Sequence, residues 1–249
     1  MRVMHVITRM IVGGAQENTL WNCLDLIHDH GDQVLLVTGP TEGPEGRLLE
    51  QGRAGDLSIE IVPELIRSIR PWSDRQAYTK LRQLIRRWRP DVVHTHSAKG
   101  GFLGRMAAWK ERVPAVVHTV HGAPFHPYQS AIARRVFRDC ERFAARRCHA
   151  LISVADAMTD LMVASAVAPR EQFTTIYSGM DTTPFLEARK ERDLARQEFG
   201  FSPDDIVVGK VARLFRLKGH DDLLTAAERI VRRDSRVKFL LVGDGTLRE

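Results

Sequence analysis

A chain of 249 residues with 43% hydrophobic content can bury a sizeable core, and its length predicts one full domain plus part of another, or two small ones. The 37 Lys and Arg against 31 Asp and Glu leave a net charge of +6, which favours anionic partners: nucleotide phosphates, anionic lipid head groups or nucleic acid. Cys23, Cys140 and Cys148 are odd in number and follow no C-x-x-C pattern, which argues against a disulfide framework or a structural zinc and for a reducing cytoplasm. No apolar run approaches the roughly 18–20 residues of a membrane span, so the expectation is a soluble protein, at most peripheral on the inner face of the membrane.

In chain order, β-rich runs fall at Val3 to Ile7, Val34 to Val37, Ile59 to Val62, Val92 to His94, Ala115 to Thr119, Leu151 to Val154 and Thr174 to Tyr177. Amphipathic helical patterns separate most of them, which predicts an α/β fold with a parallel sheet covered on both faces. A charged segment follows, and the rhythm restarts with Ile206 to Val211, a helix from Asp221 to Arg232 and Lys238 to Val242. The expected organisation is a first domain over 1–185, a charged interdomain segment over 186–202 and the start of a second α/β domain over 203–249. No internal repeat or low-complexity tract is evident.

In open α/β sheets ligands bind beyond the carboxyl ends of the strands, so the loops after strands carry the candidate site. After the first strand, Met10-Ile-Val-Gly-Gly-Ala-Gln sets Gly13 and Gly14 where backbone can approach a ligand and where the next helix offers free N–H groups to an anion; a plain tight turn is the alternative. After the fourth and fifth come His94-Thr-His-Ser-Ala-Lys-Gly-Gly and His118-Thr-Val-His-Gly. His94 and His118 lie within apolar strands and read as hydrogen-bonded core residues. His96 and His121 read as loop residues that can bond a sugar hydroxyl or a phosphate. A metal is disfavoured because these loops supply no carboxylate or cysteine partner. In the second domain, Arg213 and Lys218 flank a strand-to-helix loop and can bracket a diphosphate, with solvated surface as the alternative.

These segments, with Ile176-Tyr-Ser-Gly-Met-Asp and Leu241-Val-Gly-Asp-Gly, resemble in order and spacing the glycosyltransferases of family 4, of the GT-B fold, in the branch that builds bacterial cell-surface polysaccharides. The resemblance implies two Rossmann-like domains, the first binding a saccharide or lipid-linked acceptor and the second a nucleotide-sugar donor. It implies transfer with retention of anomeric configuration and no metal or other cofactor. By the same likeness, Gly13, Gly14, His96, Ser97, Lys99 and Gly122 would bind substrate. His121 would contact the transferred sugar near its reacting centre, and Arg213 with Lys218 would neutralise the departing diphosphate. The family's E-x-x-x-x-x-x-x-E motif does not occur by Glu249, which predicts the front portion of a longer enzyme, with little activity alone. A nucleotide-sugar epimerase of the same fold and a non-catalytic acceptor-binding module are the rivals, and no nucleic-acid motif is found.

One further pattern stands out. Between Gln129 and Arg147, Ile132, Val136, Cys140 and Phe143 mark an apolar face, and Arg134, Arg138, Arg142 and Arg146 recur every four residues. A cationic stripe of this kind suits an anionic membrane surface, or else is a solvated helix face near Asp139 and Glu141.

Overall fold

The computed structural model describes residues 1–41, 48–51, 55–245 and 247–248. The chain divides into two compact units, 1–180 and 181–249, so the division falls before the 185/186 boundary expected from sequence. Glu249 lies outside the described residues.

Among the described residues the first unit contains seven parallel strands: β1 (Arg2–Ile7), β2 (Gln33–Thr38), β3 (Ser58–Ile61), β4 (Val92–His96), β5 (Ala115–Val120), β6 (Ala150–Ser153) and β7 (Phe173–Thr175). Their spatial order is β3-β2-β1-β4-β5-β6-β7. The order reverses between β1 and β4, the switch point beyond whose carboxyl edge open parallel sheets bind ligands. In register, His5 of β1 lies beside His94 of β4.

Helices α1 (Gly14–His28), α2 (Pro71–Trp88), α3 (Ala98–Lys110), α4 (Ala131–Ala145) and α5 (Asp156–Ala164) cross between the strands. Alternation along β1 sends Met4 and Val6 into the larger core with Leu81, Leu84 and Ile85 of α2, Ala107 of α3 and Met162 of α5. Ile7 packs on the opposite face with Leu20, Cys23 and Leu24 of α1. In α2 the buried residues Ala77, Leu81, Leu84 and Ile85 recur at helical spacing, each large side chain contributing roughly 1.5–3 kcal/mol by leaving water. Pro71 starts that helix and Arg89, left-handed at φ 50°, ends it.

Three glycines bring α3 unusually close to the sheet. A Cβ on Gly100 would stand 2.8 Å from the Thr8 amide nitrogen, one on Gly101 2.4 Å from His118 Cε1, and one on Gly104 2.7 Å from Thr95 Cγ2. Only hydrogen fits these positions.

The second unit contains α6 (Thr183–Glu187), α7 (Arg192–Glu198), β8 (Ile206–Val211), α8 (His220–Val231) and β9 (Val237–Val242), with β8 and β9 paired in parallel. Its only described residues classed as buried are His220 and Val237, while Val211 is 84% exposed.

Candidate functional site

The carboxyl ends of β1, β4 and β5 meet through side chains. Ser97 directly follows β4 in a left-handed conformation, φ 59°, which is uncommon for a residue with a side chain and marks a locally constrained backbone. Its Oγ accepts the Thr8 N–H at 3.2 Å and lies 2.7 Å from Thr8 Oγ1. Thr8 Oγ1 in turn accepts the Gly100 N–H at 2.9 Å. Ser97 therefore ties the first strand to the start of α3, with its hydroxyl turned inward.

His96 corrects the sequence expectation. It ends β4 rather than lying in a loop, and it is fully buried. Its Nε2 lies 3.0 Å from His5 Nδ1 and its Nδ1 lies 3.1 Å from His121 Nε2. Alternation places His5, His94 and His96 on the same face, opposite Met4, Val93 and Thr95. His94 bonds Thr119 Oγ1 at 2.7 Å. His118 Nδ1 lies 2.9 Å from Thr95 Oγ1, which also reaches the Val117 carbonyl at 3.2 Å. Both histidines are hydrogen-bonded within the sheet, as their apolar strand context implies.

Burial holds every one of these imidazoles below its ordinary pKa. His5 and His121 fall to about 4 through burial alone. His94 and His96 fall well below 6.5, first through burial and then through neighbouring histidines. His118 does so through burial and then the charge of Arg105. All five are neutral at pH 7. His5, His94 and His96 offer one ring nitrogen each within 4.8 Å of one another, as a metal site would need, but His5 and His96 already share a hydrogen bond.

The glycine loop is open. Gly13 is extended and, among the described residues, no side chain caps α1. The Gln16 and Glu17 N–H groups bond the Gly13 carbonyl, while Gly14 is exposed and a Cβ on it would meet nothing within 4 Å, which leaves room for a ligand beside the start of the helix. Gly122, just past His121, is likewise open. Lys99, which the resemblance assigns to substrate binding, has partners within the first unit. Its ammonium pairs with Asp74 at 2.6 Å and with the Ser68 carbonyl, which fastens α3 to α2.

In the second unit, Arg213 follows β8 and lies over the Phe215 ring at 4.9 Å, while its carbonyl is bonded by His220 Nε2 at 3.0 Å. Lys218 is exposed and closes a short 3-10 turn before Gly219, which is left-handed at φ 61° and leads into α8. Both cations thus stand at the carboxyl end of a parallel strand.

Of the four apolar residues read from sequence on α4, three face outward, with Ile132 79% exposed, Val136 54% and Phe143 46%, and Cys140 is partly buried. The helix instead buries Glu141, Ala144 and Ala145. The arginine stripe is divided, because four-residue steps drift about 40° each around a helix of 3.6 residues per turn. Arg134 and Arg146 are exposed. Arg138 rests beside Asp139 at 3.4 Å, and Arg142 donates to the Ala166 and Ser165 carbonyls at 2.6 and 3.3 Å, closing the end of α5. Among the described residues no helix is long and apolar enough to cross a membrane.

Sequence comparison places this geometry among known proteins. The family profile described as "Glycosyl transferase 4-like domain" matches residues 14–179, and that described as "Glycosyl transferases group 1" matches 191–249. An Escherichia coli relative named UDP-Gal:alpha-D-GlcNAc-diphosphoundecaprenol alpha-1,3-galactosyltransferase is 33% identical over 75% of this chain and 49% of its own length. The alpha-monoglucosyldiacylglycerol synthase of Acholeplasma laidlawii is 26% identical over 65% of this chain and 43% of its own. The chain thus spans about half the length of these curated relatives. Among solved structures, Anabaena Alr3699/HepE in complex with UDP aligns with a TM-score of 0.64 at 18% identity, covering 97% of this chain and 69% of that one. TarM aligns at 0.68 and 10% identity, covering 99% and 72%. UDP-GlcNAc 2-epimerase from Neisseria meningitidis aligns at 0.61 and 12%, covering 97% and 65%, a likeness of fold alone. With the profile match extending over most of the first unit and the doubly wound sheet beneath it, the chain belongs to the glycosyltransferases of family 4, of the GT-B fold.

Proposed function

We propose that this chain forms part of a retaining hexosyltransferase that moves a sugar from a UDP-sugar to a lipid-linked saccharide on the cytoplasmic face of a membrane, without a metal. The observation that carries the reading is the switch-point corner, where the uncapped start of α1 and His121 border the carboxyl edge of one sheet. The names of the Escherichia coli and Acholeplasma laidlawii relatives support the choice of nucleotide and of a lipid-linked acceptor.

In this reading the N–H groups near Gly14 face the donor's phosphate or sugar, and His121 meets the transferred sugar. As the bond from the anomeric carbon to the diphosphate breaks, charge grows on the leaving group, and Arg213 and Lys218 stabilise it. The acceptor hydroxyl then bonds the anomeric carbon on the face the diphosphate left, and its proton passes to the oxygen of the departing diphosphate. The outward apolar residues of α4, flanked by Arg134 and Arg146, suit contact with an anionic bilayer.

Transfer of labelled sugar from UDP-sugars to polyprenyl-diphosphate saccharides, with product configuration read by NMR, tests the reaction. Retained configuration and loss of turnover exceeding the loss of donor binding in Arg213→Ala and Lys218→Ala are expected. Wild-type turnover in both variants, or epimerised donor formed without acceptor, overturns it. Flotation tests the surface: recovery with anionic vesicles should exceed recovery with neutral ones at low salt, and equal recovery refutes the membrane role.

A further inference from the structure

Three imidazoles run end to end from β1 through β4 to the loop after β5. His5 Nδ1 lies 3.0 Å from His96 Nε2, and His96 Nδ1 lies 3.1 Å from His121 Nε2. His94 and His118 stand beside this line with hydrogen bonds of their own to Thr119 and Thr95. A neutral imidazole donates through one nitrogen and accepts through the other. Two such contacts in series admit only two proton orders: every ring protonated on Nδ1, or every ring protonated on Nε2. Any mixture sets two lone pairs or two N–H groups against each other at hydrogen-bond distance.

The two ends of the line select between these orders. At the inner end, His5 Nε2 is buried with no hydrogen-bond partner among the described residues. Protonation on Nε2 would strand an N–H there, whereas protonation on Nδ1 strands only a lone pair, and orphaned buried N–H groups are the rarer of the two in proteins. At the outer end, His121 is half-buried and its Nδ1 is not among the buried orphaned atoms, so a ligand can meet it. An outward N–H complements a phosphate or sugar oxygen; an outward lone pair repels one.

We propose that His5 and His96 are positioning residues which fix His121 as an outward Nδ1–H donor, so that it binds substrate oxygen and does not serve as a general base. The ligand class rests on the donor-site reading above; the proton order does not. The consequence is a dependence of the site on a residue two rings away on the first strand.

Long-range nitrogen-15 NMR of the imidazoles in the 249-residue chain at pH 7.5, without nucleotide, tests the proton order. His5, His96 and His121 should all appear as Nδ1–H tautomers, and an Nε2–H tautomer at any of the three overturns the proposal. His5→Asn offers an amide N–H near the Nδ1 position and should preserve the tautomers of His96 and His121. His5→Leu removes the donor and should leave His121 a mixture; a pure Nδ1–H state in His5→Leu refutes control by His5. Equimolar Zn2+ should leave the wild-type ring protons in place, and stoichiometric uptake with their loss would overturn the hydrogen-bonded line. Adding UDP-galactose or UDP-glucose should then shift the His121 Nδ1 resonance. An unmoved resonance with both sugars and the tautomers intact would reject the donor sugar at this corner and leave the proton order standing, so the two failures are distinguishable.

Discussion

Arg105 and Glu141 form an ion pair wholly inside the first unit. The Arg105 Nη2 donates to both Glu141 oxygens at 3.0 and 2.9 Å, and the two side chains are 0% and 5% exposed. The pair joins α3 to α4, and Arg105 Nε adds a bond to the Gly101 carbonyl at 2.9 Å. Removing one partner leaves a buried charge without its counterion, so Glu141→Leu should destabilise the unit by about 3–5 kcal/mol. Replacing both, as Arg105→Met with Glu141→Leu, should recover much of that loss. Urea denaturation of the single and double variants checks this, and additive losses would contradict it.

The neutral histidines make stability sensitive to acid. Above pH 6.5 the folded and unfolded chains alike leave His5 neutral. As pH falls from 6.5 towards 4, the unfolded chain takes up a proton that the buried ring refuses, so stability declines; below about 4 the loss levels off. For His5 alone the effect is on the order of 3 kcal/mol. Stability measured between pH 7.5 and 4 should therefore slope less steeply in His5→Leu than in wild type, and equal slopes would show that His5 ionises freely in the fold.

Glycines at this edge separate packing from binding. Gly100→Ala forces a methyl to within 2.8 Å of the Thr8 backbone, and Gly101→Ala drives one onto the His118 ring, so each should cost roughly 1–3 kcal/mol of stability. Gly14→Ala meets nothing and should leave the melting temperature unchanged. The same methyl stands in the open approach to α1, so UDP binding should weaken about tenfold, or by roughly 1.4 kcal/mol. Unchanged UDP affinity in Gly14→Ala, measured by calorimetry, would remove this loop from the donor site.

Limited proteolysis should cut first after residue 186. Leu186 and Leu194 are exposed on α6 and α7, and β8 with β9 has few buried apolar residues to resist local opening. A resistant fragment that holds the first unit and ends beyond Leu186 is expected by mass spectrometry. Initial cleavage within 1–180 would contradict it.

Strand rhythm and strand-end loops were legible in sequence because both are local patterns, whereas the strand order came only from the fold. His5 was not read as part of the site. Between Met4 and Val6 it resembles any polar residue in a strand, and it gains its partners only because β1 lies beside β4, from a segment about ninety residues on. Adjacency of those strands in the doubly wound order, combined with the His94-x-His96 alternation, is the signal that could have found it. The ion pair of Lys99 was not read for a related reason, since Asp74 approaches it from another helix. On α4, apolar spacing identified a face without telling which way it pointed, because Glu141 supplies the buried anchor through Arg105, and hydrophobicity alone cannot register a charged residue as interior.

The glycine contacts beneath α3 bear on how motion travels. Side chains between a helix and a sheet act as cushions, since they change rotamer and absorb small displacements. At Gly100 the nearest neighbours of the absent methyl are backbone atoms of Ile7 and Thr8, and at Gly101 the neighbour is the His118 ring itself. At Gly100 no side chain lies between helix and strand end, so a tilt of α3 there cannot be taken up by a rotamer change and must move the backbone at the end of β1 with it.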